Sequence, residues 1–430
     1  MKIRLSSRFL SLASTLALLG TAGCGGSEGT NNSASNEPDS GQPSTGDAAV
    51  DAHGDARVEH DAASEAGEDA GPTGVVSVPL SSCVPTVYTL PGTIGGSQMF
   101  QLVLDTGSTS LGVAGMGCSC GGVSPVYTPG PTAVDQKQMA SSQFGSGSWS
   151  GEIYQDSVAL GSSQTAPTKL VSIASQTSFF EPLMCDSKSG GMQGLVGFGP
   201  SAAAVSGTNG FFDQYVATNH VPDVFATELC ETTGTLWLGG FDATATTAAP
   251  QYTPLAADVS STYYYTVNLA SITVGGTTVP VGSGGQLPDS VVDTGTSVFI
   301  LNANAYNGLT AALEGDAMFK QLFGATFFPA VNSQNTACQT LSQTKAQLDA
   351  ALPELTLTFG SNPGVSVKAV ATESYLFNYG GQWCSSLFGA DSNTIGPLAG
   401  IMGSPVLRSN VVIFDRAQKR IGFAPHAPCP

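Results

Sequence analysis

The sequence is poor in basic residues and in histidine. Its 430 residues include 14 Lys and Arg against 32 Asp and Glu, which gives a formal net charge of -18 at pH 7. A surface of that charge repels phosphate groups, so the composition argues against nucleic acid as a partner. Two of the four histidines, His220 and His426, lie beyond residue 74. A serine hydrolase needs a histidine beside its nucleophile, and both of these are better explained as surface residues, so that class is disfavoured.

The most apolar run of the chain is short and lies near its start. It covers Phe9–Leu19, follows three basic residues, and is followed by small residues that end at Cys24. The run is too short for a permanent membrane anchor, so residues 1–23 are predicted to be a cleaved export signal. The small residues before Cys24 resemble a bacterial lipobox, in which the freed cysteine receives a diacylglyceryl group. The alternative is an ordinary signal that leaves a secreted protein.

Residues 25–74 contain no aromatic residue, and they hold eleven acidic residues, two valines and one arginine. Such a segment cannot bury enough apolar surface to offset the entropy of ordering it. We therefore predict that residues 24–74 form a disordered acidic tether behind a lipid attached at Cys24. The protein would then be a cell-envelope lipoprotein, at the outer membrane or the cell surface, whose membrane contact is that anchor alone. Secretion is the alternative location.

Eight cysteines follow Cys24, and an even number in an exported chain favours disulfides over metal binding. Cys118 and Cys120 lack the spacing of a zinc knuckle, and only two histidines lie beyond residue 74, so no metal is expected. Spacing does not fix which cysteines pair. The eight are Cys83, Cys118, Cys120, Cys185, Cys230, Cys338, Cys384 and Cys429.

From Val75 onward, short β-rich runs alternate with Gly, Pro and Ser, in a chain that has 53 Gly and 25 Pro. This pattern predicts an all-β fold. Helical patterns are few. They cover residues 202–207, 211–220, 303–323 and 344–352.

Two stretches of the sequence repeat. "LVLDTGSTSLGV" at 102–113 returns as "SVVDTGTSVFIL" at 290–301, and "GLVGFG" at 194–199 returns as "GIMGSP" at 400–405. A single Asp-Thr-Gly is ordinary turn chemistry. Two copies, each behind an apolar strand and each followed by an apolar-apolar-Gly element, indicate two related halves.

With these paired motifs the chain resembles the pepsin-like aspartic endopeptidases over essentially all of residues 75–430. Residues 401–425 are similar to that family's C-terminal stretch almost position for position. The resemblance implies an all-β, bilobal pepsin-like acid protease fold, with two pseudo-symmetric, barrel-like lobes and the active-site cleft between them. We place the N-terminal lobe at 75–250 and the C-terminal lobe at 251–430.

The resemblance makes Asp105 and Asp293 the catalytic pair. Side by side, the two carboxylates cannot both ionise cheaply, so they keep one proton over a wide acidic range. One takes a proton from a water while the other donates to the peptide carbonyl. Glycine lets the two loops approach, and hydroxyls orient the carboxylates or bond across to the opposite loop. The supporting residues are Thr106, Gly107, Ser108, Thr294, Gly295 and Thr296.

The segment "SQFGSGSWSG" at 142–151 resembles the family's flap, a hairpin that covers the cleft. Phe144, Gly145 and Ser146 are therefore expected to face the substrate. The family usually has a tyrosine where Phe144 stands, and its hydroxyl bonds a tryptophan at the position of Gly112. Both partners are absent together, which predicts a flap packed differently, with Trp149 filling the space.

The resemblance further implies an extended peptide or unfolded protein as substrate, no cofactor and a monomeric enzyme. It favours a Cys338–Cys384 disulfide and suggests Cys185–Cys230. The alternative function is a binding or inhibitor protein that keeps the fold without turnover, because fold alone does not establish activity.

Overall fold

The computed structural model describes residues 74–84, 86–145, 147–180, 191–257, 260–282, 288–333, 335–360 and 364–429. The predicted signal, Cys24 and the predicted tether lie outside these residues. Strands dominate the described residues, and the α-helices are short, which confirms the all-β prediction. In these ranges no helix has the length and apolar character needed to span a membrane.

The strands of the described residues range from 2 residues in β16 to 13 residues in β6. They are β1 (Val76–Val84), β2 (Val87–Ile94), β3 (Gln98–Asp105), β4 (Leu111–Ser119), β5 (Val134–Gln143), β6 (Ser148–Leu160), β7 (Ala166–Thr177), β8 (Gly194–Gly197), β9 (Val224–Leu229), β10 (Thr233–Leu238), β11 (Gln251–Pro254), β12 (Thr266–Val274), β13 (Thr277–Pro280), β14 (Asp289–Asp293), β15 (Phe299–Asn302), β16 (Cys338–Gln339), β17 (Leu355–Phe359), β18 (Val365–Ala369), β19 (Leu376–Tyr379), β20 (Gln382–Ser385), β21 (Leu387–Ala390), β22 (Gly400–Gly403), β23 (Asn410–Asp415) and β24 (Arg420–Pro425).

The α-helices are α1 (Phe211–Asn219), α2 (Ser260–Tyr263), α3 (Ala303–Gly315), α4 (Ala317–Phe323), α5 (Lys345–Ala351), α6 (Ser392–Ile395) and α7 (Ser404–Leu407). Short 3-10 turns cover Ser201–Ala203, Ala243–Ala245 and Ala371–Glu373. The segment predicted as one helix at 303–323 is two helices. The Asp316 carboxylate accepts hydrogen bonds from the N–H groups of Met318 and Phe319 at 3.0 and 2.9 Å, so it caps α4 and ends the first helix.

One large sheet joins the beginning, middle and end of the chain. Its order is β11-β24-β23-β9-β10-β1-β2-β3-β8-β4-β7-β6-β5, so the C-terminal β23 lies beside β9. A second sheet has the order β18-β17-β12-β14-β22-β15-β21, with β13 paired to β12, and a third has the order β16-β20-β19. The first sheet combines the strands of residues 75–250 with β11, β23 and β24, and the second consists of strands from residues 251–430. This arrangement agrees with the two-lobed pepsin-like fold that the resemblance implied.

The sequence repeat is also a repeat of strand topology. β3 runs parallel to β8, which places Asp105 opposite Gly197, and β8 pairs antiparallel with β4. β14 runs parallel to β22, which places Asp293 opposite Gly403, and β22 pairs antiparallel with β15. The repeated apolar-apolar-Gly elements are thus the strands that support the two Asp-Thr-Gly loops.

Aromatic side chains pack where the two lobes meet. Phe225 on β9 stacks on Phe414 of β23, with ring centroids 4.5 Å apart, and Tyr265 packs on Phe414 at 4.9 Å. The Tyr265 hydroxyl donates a 2.8 Å hydrogen bond to the carbonyl of Phe198. Each of these rings is at least 98% buried, and full burial of such a side chain contributes about 2–3 kcal/mol.

The disulfides confirm one predicted pair and correct the other. Cys338 and Cys384 lie opposite each other on β16 and β20 and are bonded. The pairing of Cys185 with Cys230 is wrong, because Cys230 is bonded to Cys429. Sheet topology explains the partner, since Cys230 directly follows β9 and Cys429 follows β24, two strands further along the same sheet. Cys185 lies outside the described residues, and Cys118 is bonded to Cys120.

A cluster of charges holds the C-terminal segment. Glu373 lies 2.5 Å from the Lys345 ammonium and 3.6 Å from Nε2 of His426. Burial alone would raise the pKa of Glu373, but the bond to His426 and the charges of Lys345 and Arg408 outweigh it and lower that pKa to about 2. The same bond raises the pKa of His426 above 6.5, with a smaller effect of the Glu228 charge.

We expect His426→Gln to lower the free energy of unfolding by about 1 kcal/mol at pH 5.5 and to have little effect at pH 9. A histidine whose pKa is raised by folding stabilises fully below its unfolded pKa and loses that contribution as the pH rises through the folded pKa. Glu373 stabilises above about pH 4.5 and loses its contribution as the pH falls towards 2. The ion pair is therefore strongest at mildly acidic pH.

Urea unfolding at both pH values measures this effect. The exposed His220→Asn is the control, because His220 ends α1 in the left-handed conformation that asparagine also adopts. An equal loss of stability at pH 5.5 and pH 9 contradicts the proposed ion pair.

Candidate active site

Each Asp-Thr-Gly loop binds its own carboxylate in the same way. Asp105 ends β3 and is 4% exposed. The Gly107 N–H donates to Asp105 Oδ1 at 2.8 Å, and the Ser108 hydroxyl donates to Oδ2. In the other lobe the Gly295 N–H donates to Asp293 Oδ1 at 2.8 Å, and the Thr296 hydroxyl donates to Oδ2 at 2.5 Å. These bonds fix the orientation of both carboxyl planes.

Two threonines bind the loops to each other. The Thr106 N–H donates to Thr294 Oγ1 at 3.1 Å, and the Thr294 N–H donates to Thr106 Oγ1 at 3.0 Å. Each hydroxyl then donates across the lobe boundary, from Thr106 to the Val292 carbonyl and from Thr294 to the Leu104 carbonyl, both at 3.0 Å. All four bonds are buried, so their net contribution is about 1 kcal/mol each.

The two glycines are required by contact between the lobes. A Cβ at Gly107 would lie 2.6 Å from Cγ of Asp293, and one at Gly295 would lie 2.7 Å from Cγ of Asp105. Each carboxylate therefore packs directly on the glycine of the opposite loop. The structure thus brings Asp105 and Asp293 side by side, as the sequence predicted.

Burial and like charge together determine the protonation of the pair. Burial raises the pKa of Asp105 well above its usual range, and the negative charge of Asp293 raises it further. A hydrogen bond with Asp293 acts in the same direction, while the bonds from Ser108 and Gly107 oppose it. The pair consequently retains one proton far above the pH at which an exposed aspartic acid loses it.

The flap lies over this pair. β5 and β6 form a hairpin, and at its tip the Phe144 N–H donates to the Gly147 carbonyl at 2.7 Å. Phe144 lines the same cleft as both aspartates, and Gly145 follows it in the turn. Ser146 lies outside the described residues.

The cleft also contains residues that the sequence reasoning missed. Val291 and Ile401 lie opposite each other on β14 and β22, and both face the cleft. Strand alternation could have found Val291, because side chains two residues apart on a strand share a face.

Tyr264 also lines the cleft, but no sequence pattern pointed to it. Its pKa is raised by burial and then by the charges of Asp293 and Asp105, since it lies beside the pair. Ala203 was also missed, whereas Ser142 and Gln143, which line the cleft too, belong to the predicted flap segment.

Neither histidine of the described residues lines this cleft. His426 belongs to the C-terminal charge cluster, and His220 ends α1. One group of potential metal-binding side chains occurs in the described ranges, namely Glu228 with Cys230 and Cys429. The two sulfurs of that group are joined in a disulfide.

Comparison with known proteins agrees with this geometry. A family model described as eukaryotic aspartyl protease matches residues 87–426. The chain is 26% identical to an aspartic protease of Phaffia rhodozyma over 79% of this chain and 76% of the relative. It is 26% identical to a beta-secretase of Strongylocentrotus purpuratus over 77% of this chain and 65% of the relative. It is 27% identical to pepsin A of Sus scrofa over 81% and 84% of the two chains.

We expect Gly107→Ala to reduce kcat at least 100-fold, because its methyl group would displace Asp293. Gly130→Ala is the matched control, since an added Cβ there meets no atom within 4 Å. Steady-state kinetics on a denatured protein substrate, with thermal unfolding measured in parallel, tests this. A Gly107→Ala enzyme that folds and turns over like the control contradicts the contact between the loops.

Proposed function

Since the chain belongs to the eukaryotic aspartyl protease family and is an aspartic endopeptidase, we propose that Asp105 and Asp293 are its catalytic pair. The observation that carries this assignment is the packing of each carboxylate on the glycine of the opposite loop. Two acids in such contact share one proton, and a water between them meets a base on one side and an acid on the other.

The proposed reaction proceeds without a covalent enzyme intermediate. The ionised carboxylate takes a proton from the water as its oxygen attacks the peptide carbonyl carbon, and the protonated carboxylate donates its proton to the carbonyl oxygen. The tetrahedral diol then returns a hydroxyl proton to the carboxylate that acted as acid, the C–N bond breaks, and the amine nitrogen receives the proton that the other carboxyl group took from the water. Because Asp105 is the more buried acid, we assign the shared proton to it in the free enzyme.

The substrate that fits this cleft is an extended peptide. Phe144, Val291 and Ile401 line it near the pair, which favours apolar side chains beside the cleaved bond. Among the described lining residues, the two aspartates are the sole charged side chains. An unfolded protein segment can enter such an open cleft, so we propose unfolded protein as the substrate. We also propose a monomer as the active form, because one chain supplies both carboxylates of the pair.

We further propose that the enzyme is exported and held at the cell envelope by a lipid on Cys24. The support is the sequence pattern alone, in which a short apolar run and small residues precede that cysteine. The acidic segment behind it would keep the protease away from the anionic membrane surface.

We expect Asp105→Asn and Asp293→Asn each to reduce turnover at least 1,000-fold, because either change removes the acid and base pair. The assay follows cleavage of denatured protein between pH 3 and pH 8, with and without a statine-type inhibitor. Glu354→Gln is the control, since that carboxylate is exposed and pairs with Lys368. Inhibitor-sensitive cleavage that survives either Asn variant overturns the assignment.

For the lipid anchor, we expect Cys24→Ser to move the protein from the detergent phase to the aqueous phase when the full chain is expressed in a bacterium that processes lipoproteins. Thr21→Leu is the matched variant, because a lipobox more often carries leucine at that position, and it should keep or increase the detergent-phase fraction. Identical partitioning of all three proteins contradicts lipid attachment.

A further inference from the structure

Trp149 is a flap residue that packs on the strand leaving the first catalytic loop. It lies on β6, beyond the tip of the flap, and is 2% exposed. A Cβ placed on Gly112 of β4 would lie 3.4 Å from Cε2 and Cζ2 of the indole. The ring therefore packs over Gly112, in van der Waals contact with the place where a Cβ would stand, and Cδ1 of Ile173 bounds the same space at 3.3 Å. β4 begins six residues after Asp105 and pairs with β8.

The indole also contacts the aromatic residue at the flap tip. The ring centroids of Trp149 and Phe144 lie 6.0 Å apart, and Phe179 packs on Phe144 at 5.4 Å. Phe144 in turn lines the cleft with both aspartates. A continuous series of packed groups thus runs from Gly112 through Trp149 and Phe144 to the substrate side of the cleft.

The polar atom of the indole takes no part in this contact. Trp149 Nε1 is buried and has no hydrogen-bond partner within the described part of the chain. Its aromatic neighbour Phe144 has no hydroxyl to offer it. An unpaired buried donor is unfavourable, so the ring is retained here for its shape and apolar area.

We propose that Trp149 is the positioning residue of the flap, and that its packing in the space above Gly112 holds Phe144 over the catalytic pair. This inference rests on the proposed function, because it concerns how the substrate is held for Asp105 and Asp293. The indole of Trp149 fills the space over Gly112 and so fixes the position of the flap. Loss of the indole leaves the two catalytic aspartates intact but lets the flap tip move away from the bound peptide.

The test compares KM and kcat for variants of both partners. We expect Trp149→Ala to raise KM roughly tenfold while kcat changes less than threefold. Trp149→Phe should raise KM less than Trp149→Ala does, because it keeps an apolar ring in this space, although the ring is smaller than the indole whose Cε2 and Cζ2 face Gly112. Phe144→Tyr should lower KM, because its hydroxyl can accept a hydrogen bond from the indole.

A rescue variant separates positioning from simple loss of stability. Gly112→Trp combined with Trp149→Ala places a ring in the same space from the other side and should restore at least half of the KM loss. Trp237→Ala is the control, since Trp237 is 4% exposed but lies on β10, outside the flap, and should lower the melting temperature without changing KM.

The outcomes distinguish this inference from the proposed function. If Trp149→Ala and Trp237→Ala both lower the melting temperature and leave KM unchanged, the positioning role of Trp149 is wrong. An inactive Asp105→Asn enzyme would still support the catalytic assignment. If Asp105→Asn retains activity, the catalytic assignment fails first. Should Trp149→Ala not fold, Trp149→Leu takes its place, and a folded Trp149→Leu enzyme with the wild-type KM overturns the positioning role.

Discussion

Contact between two like-charged carboxyl groups is the constraint on which the rest of this structure depends. Two unit charges about 4 Å apart repel each other by about 4 kcal/mol at the effective dielectric constant near a protein surface. The four buried hydrogen bonds between Thr106, Thr294 and the opposite loops contribute about 1 kcal/mol each. The charge repulsion and the four hydrogen bonds are of similar size. If both aspartates were ionised, the repulsion would offset the stabilisation that the threonines provide. One shared proton removes this repulsion. The protonation state of the two aspartates therefore affects the stability of the fold as well as catalysis.

The lobes are also joined to each other outside the Asp-Thr-Gly loops. The strand β23 from the end of the chain pairs with β9 from its middle, and Phe225 stacks on Phe414 across that pairing. The Cys230–Cys429 disulfide and the His426–Glu373 ion pair then hold the segment beyond β24. The ion pair is strongest at mildly acidic pH.

The sequence predicted those parts of the site that repeat. Asp105 and Asp293 were identified because the same Asp-Thr-Gly motif follows an apolar strand twice. The glycines and hydroxyl residues that support them were identified as part of the same motif. Tyr264 was missed because it comes from a loop with no counterpart in the motif, and its place beside the pair depends on the packing of the whole C-terminal lobe. The partner of Cys230 was mispredicted for a related reason. Sheet order brings Cys429 beside it, and cysteine spacing carries no information about sheet order. Asp316 could have been recognised as a helix cap, because aspartate is a favoured residue at that position.

The packing of Trp149 shows how an apparent loss at the flap is compensated. Burial of a tryptophan removes about 150–250 Å² of surface from water, which corresponds to about 4–6 kcal/mol. An unpaired buried N–H costs about 1–3 kcal/mol, so packing outweighs the orphaned donor at Nε1. The glycine at position 112 leaves this space open, because a Cβ there would already touch the indole and a longer side chain would compete with the ring. Phe144 and Gly112 therefore do not indicate a damaged site. The space between the flap and β4 is filled by the aromatic ring of Trp149, which belongs to the flap itself.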